Sequence, residues 1–166
     1  MWGLMILSYL CIAVTFTLLF LSGLQGYFQF QIFQASHPQF ALLSAVFYMF
    51  SETLIMFYFI GSGTAIKKAI ASLDVETNGY EKVKKTKMKL FPHLTLNIVF
   101  IGTVFILGGA VQTGRISSWI HGLLFDLAFI HFMYTTFLQH RGFKENVKII
   151  GELAKSNIAT ANESST

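Results

Sequence analysis

Charge is scarce in this chain. Asp, Glu, Lys and Arg make up only 12% of its 166 residues, against roughly 25% in an average globular domain. So little charge excludes a water-soluble surface over most of the chain, and nucleic acid as a partner. Cysteine is nearly absent too. The one cysteine, Cys11, excludes an internal disulfide and reads as a small buried hydrophobe in an apolar run. Enzyme signatures are missing as well. There is no HExxH, no paired ExxH and no nucleophile constellation. Nor is there the inverted repeat or broken helix that marks many transporters.

What is present is apolar. Hydrophobic residues make up 54% of the chain, and eighteen residues are Phe. About 20 mostly apolar residues cross a bilayer core. Four stretches qualify, over 4–22, 38–61, 92–111 and 117–139. The first lacks a basic n-region and is too long for a signal-peptide core, so it reads as a retained helix. The chain is therefore expected to be an all-α integral membrane protein. Its expected form is a four-transmembrane-helix bundle over 1–142, followed by a tail over 143–166.

Basic residues set the orientation. Seven lysines (67, 68, 82, 84, 85, 87 and 89) lie between spans two and three, and Arg141, Lys144, Lys148 and Lys155 follow span four. Only Arg115 falls on the other side. Because positive residues stay inside, both termini are expected in the cytoplasm, with the chain in an inner (cytoplasmic) membrane of bacterial type.

The extramembrane parts carry patterns of their own. Gly23 to Gln34 alternates aromatic or aliphatic residues with Gln, a period of two that suggests a strand or an interfacial loop. Ile66, Ala69, Ile70 and Leu73, then Tyr80, Val83, Lys87 and Phe91, extend spans two and three as a cytoplasmic helical hairpin over 64–91. Asn78–Gly79 is its turn signal. In the tail, Phe143, Val147, Ile150 and Leu153 share a face, which predicts an amphipathic surface helix.

Ionisable groups at bilayer depth are costly, so each is a functional candidate. Glu52, Asp126 and His131 are the deep ones, and His37, His93, His121 and His140 lie in spans or at their edges. Placing each residue from its span's midpoint puts Glu52 and His131 at one level, roughly 3 and 4 Å inward, which suggests that they pair. A second use is a b-type haem. Facing histidines at matched depth serve as axial ligands. On the inner side these are His93 with His131 or His140. On the outer side they are His37 with His121, offset by roughly 10 Å on the same measure. Gly102, Gly108 and Gly109 offer room for a porphyrin edge.

These groups point to a small, non-catalytic or electron-transfer subunit of an oligomeric respiratory or redox complex. It would ligate haem or border a quinone, and contact lipid and other membrane subunits. The alternative is a purely structural or accessory subunit. A proton-relay channel or transporter through Glu52, His131 and Asp126 ranks below both.

Overall fold

A computed structural model describes residues 2–73 and 78–163. The tip of the expected hairpin, 74–77, and the last three residues lie outside the described residues. The described chain is four helices: α1 (Trp2–Phe28), α2 (His37–Leu73), α3 (Gly79–Gln112) and α4 (Ser118–Glu163). All four are long and apolar enough to cross a membrane. They follow one another around a ring, α2 also meets α4 across the middle, and α1 stays apart from α3. Large side chains such as Phe57, Ile106, Leu127 and Ile130 stand exposed around the outside. Surfaces that apolar are stable against lipid tails and unstable in water.

The core is layered along the bundle axis. The layer on the side of the α1–α2 and α3–α4 turns (the outer layer) joins Leu19, Ala45, Tyr48, Ile101, Val104, Ala128 and Phe132. The inner layer joins Ile55, Tyr58, Phe59, Leu90, Leu94 and Phe143, with Ile12 and Leu138. A third layer lies beyond the apolar spans, where Ile66, Val83, Ile149 and Leu153 pack α2, α3 and α4 together.

Two sequence expectations change here. The Gly23–Gln34 segment forms no strand. α1 runs on to Phe28, and the connection then reverses through Gln29, Phe33 and Gln34 at positive φ, with one bridge between Ile32 and Ala35. A helix satisfies its own backbone groups at the membrane edge, which a lone strand cannot. The buried Gln25 amide also donates to the Ala35 carbonyl at 2.8 Å and ties the turn back to α1.

The 143–154 segment, in turn, is the unbroken end of α4, and its apolar face is covered by α2 and α3. The buried positions are Phe143, Asn146, Ile149 and Leu153, where the periodicity had suggested Val147 and Ile150. Polar side chains pull the helix round by part of a turn. Asn146 donates to Ser62 at 2.7 Å, and Thr86 donates to Glu145 at 2.7 Å.

Pro92, expected to open span three, lies inside α3. The helix passes through it at the loss of one backbone hydrogen bond.

Candidate functional site

Two polar constellations occupy the bundle. The outer one lies where α2 and α4 begin. His37 and His121 face each other with ring centres 6.3 Å apart at an angle of 71°. Both rings are seated by glycines. A Cβ on Gly26 of α1 would sit 3.1 Å from His37 Cε1, and one on Gly108 of α3 would sit 3.3 Å from His121 Cε1. Each Nδ1 is buried without a hydrogen-bond partner. Buried nitrogens in that state are uncommon and call for a ligand, an ion or water.

The two rings border a cavity of about 960 Å³, whose walls come from all four helices and include Gly23, Gly109, Gly122, Ser44 and Trp119. That is at the upper end of the usual range for cofactor sites. Gly102, expected to help open this space, faces Met49 instead.

The midpoint estimate put His37 and His121 too far apart in depth. It assumed four centred spans, whereas α2 starts at His37 itself and α4 starts only three residues before His121.

The inner constellation is a chain of hydrogen bonds. His93 Nδ1 meets His131 Nε2 at 3.3 Å, and His131 Nδ1 meets Asn97 Oδ1 at 2.8 Å. Asn97 donates from Nδ2 to the Tyr48 hydroxyl at 2.8 Å, and Glu52 lies one turn along α2 from Tyr48. From the far side Gln139 donates to Glu52 at 2.8 Å. Glu52, Asn97, Tyr48 and Gln139 are all 0–1% exposed.

Glu52 therefore pairs with Gln139, and the expected Glu52–His131 pair does not form. Tyr48 and Asn97 stand between them. His140 has a different partner from His93. It lies exposed on α4 and bonds the Tyr9 hydroxyl at 2.9 Å. Asp126 is also exposed, and accepts from the Tyr27 hydroxyl at 2.6 Å. Among the described residues no three His, Cys, Asp or Glu side chains converge as a metal site.

Searches by family model, against curated proteins and against solved structures find no match for this chain.

Could either histidine pair hold a haem iron? An imidazole nitrogen bonds a transition metal at about 2 Å, and the ring centre lies about 1 Å behind it. Two rings on opposite sides of one iron then have nitrogens about 4 Å apart and centres about 6 Å apart. The outer pair meets the second figure and has a cavity beside it. The inner pair is in direct contact at 3.3 Å, with ring centres 5.5 Å apart, which leaves no room for an iron between the nitrogens.

The sequence reading passed over Tyr48 and Gln139. Their signal was the four-residue spacing of polar groups along single helices: Ser44, Tyr48 and Glu52 on α2, His93 and Asn97 on α3, and His131, Thr135 and Gln139 on α4. Such spacing puts each set on one face.

Direct contact between Glu52 and Gln139 has a measurable consequence. Glu52→Gln and Gln139→Leu should be non-additive in thermal stability, with a coupling of about 0.5–3 kcal/mol. A double variant that simply sums the single effects would show that the two groups do not touch.

Proposed function

We propose that the chain is a small integral-membrane subunit of a redox assembly, holding a b-type haem in the outer cavity between His37 and His121. One observation carries this reading. Two histidine rings stand edge to face with centres 6.3 Å apart, at a large cavity, with their Nδ1 atoms unpartnered. When bound, such a haem supplies one-electron transfer. The chain's own part is to hold both imidazoles, through Gly26 and Gly108, and to wall the macrocycle in apolar surface. The purified protein should show a Soret band that sharpens on reduction with dithionite. A protein that stays colourless after haem is added would remove the proposal.

Membership of an assembly rests on a different observation. The exposed pairs Tyr27–Asp126 and Tyr9–His140 both bridge α1 and α4. A carboxyl at bilayer depth facing lipid costs roughly 2.5–3.5 kcal/mol on insertion scales, which favours another subunit covering this face. The same observation favours the accessory-subunit reading should no haem bind.

The orientation follows the basic residues. Both termini and the α2–α3 hairpin lie in the cytoplasm, and the α1–α2 turn faces outward. In a Cys11→Ser background, a membrane-impermeant maleimide should label Gln31→Cys from outside intact cells and Lys85→Cys only after lysis. The reverse pattern would invert the topology.

A further inference from the structure

We propose that the inner hydrogen-bond chain is a proton path between the cytoplasmic interface and Glu52, continued outward by the cavity. This goes beyond the haem reading and does not depend on it. No hydrogen bond of the chain involves His37 or His121.

Donor bookkeeping fixes the polarity of the chain. Asn97 Nδ2 donates to the Tyr48 hydroxyl. Its Oδ1 is left to accept, so His131 Nδ1 carries the proton in that bond. A neutral His131 then has a bare Nε2, so His93 Nδ1 is the donor in the His93–His131 contact. With its oxygen already accepting from Asn97, Tyr48 has its hydroxyl proton free for Glu52, one turn along the same face of α2. Four successive donors thus point the same way, from the half-exposed His93 to the buried carboxyl of Glu52. A chain of aligned donors is also cooperative, each bond polarising the next.

Transfer along it balances. One proton from cytoplasmic water binds His93 Nε2, and His93 releases its Nδ1 proton to His131 Nε2. His131 releases its Nδ1 proton to Asn97 Oδ1. The amide, now protonated on Oδ1, releases an Nδ2 proton to Tyr48 and is left as its iminol. Tyr48 releases its own hydroxyl proton to Glu52. Each N–H or O–H bond broken is replaced by one formed; one proton is then on Glu52, Asn97 is left as its iminol and both imidazoles are in their other tautomers, and these must revert before a second proton can pass. The amide is the slow step, because its iminol form is high in energy.

On the other side, Tyr48 belongs to the same packed layer as Leu19, Ala45, Ile101 and Val104, which also line the cavity. Ser44, another lining residue, is four positions along α2 from Tyr48, about 6 Å. A single helical turn therefore separates the chain from the outer cavity.

Proteoliposomes loaded with a pH-sensitive dye, under a potassium potential set by valinomycin, test the path. Wild type should move protons at least tenfold faster than protein-free vesicles. Asn97→Leu and His131→Phe should fall to the vesicle rate. Asn97→Asp replaces the amide with a group that exchanges protons readily, and should exceed wild type. His93→Gln, at a half-exposed position that tolerates change, should lose at least tenfold even if the core variants fold poorly. Wild-type flux equal to that of empty vesicles overturns the proposal. So does His93→Gln at the wild-type rate, or Asn97→Asp as slow as Asn97→Leu.

Discussion

Replacing His37 or His121 with alanine should cut haem occupancy at least tenfold, while His93→Ala and His140→Ala keep it. Both outer rings lie in pockets opened by a missing side chain, and each has a buried Nδ1 without a partner. Loss of either ring would remove one of the two imidazoles that would hold the haem. The reduced spectrum of any residual haem should then lose its sharp low-spin bands. His93 is already engaged with His131, and His140 with Tyr9. Neither can turn to the outer cavity. The specific check is Gly108→Val, whose branches would press on a ring that a bare Cβ would already approach at 3.3 Å. It should weaken haem binding without replacing a ligand residue. Bands that persist in both His37→Ala and His121→Ala would place the iron elsewhere.

The second large effect is expected in the inner core. Phe143→Ala should destabilise the protein by about 3–5 kcal/mol, the usual cost of emptying a buried aromatic site. Phe143 is fully buried, with ring centres 4.9 Å from Tyr9, 4.9 Å from Tyr58 and 5.1 Å from Phe59. It closes the layer in which α1, α2, α3 and α4 meet near the α2–α3 hairpin. For a chain of this size each kcal/mol lowers the melting temperature by about 2–4 °C, so a fall of about 6–20 °C is expected by circular dichroism. Phe137, one and a half turns away on α4, is half exposed, and Phe137→Ala should shift the midpoint by only a few degrees. Equal losses for the two would mean that Phe143 is not packed as described.

How much of this was legible without coordinates depended on the length scale of each signal. The four helices were plain because twenty-residue apolar runs have few alternative structures. The alternation in Gly23–Gln34 misled because a period of two over twelve residues competes with simple continuation of a helix. Gln25 could not be seen, from sequence, to reach Ala35. The site histidines were chosen on chemistry and depth. Depth from span midpoints fails once helices overrun the bilayer by different amounts, as α4 does by more than twenty residues past Gln139. His93 and His131 met despite an estimated mismatch in depth, and so did His37 and His121. Glu52 was given the wrong partner for another reason. Level alone does not tell which way a side chain points, and Tyr48 and Asn97 fill the space between.

α4 runs 46 residues without a break, about 69 Å at the usual rise. It bears His121 near one end and Leu153, gripped by α2 and α3, near the other. Such a rod is a lever. With a fulcrum near Gln139, a swing of about five degrees imposed at the Leu153 end would carry His121 by about 2 Å, since His121 and Gln139 are separated by about 27 Å of helix. The distance between two rings that now stand 6.3 Å apart is thereby mechanically geared to whatever grasps the far end of the helix.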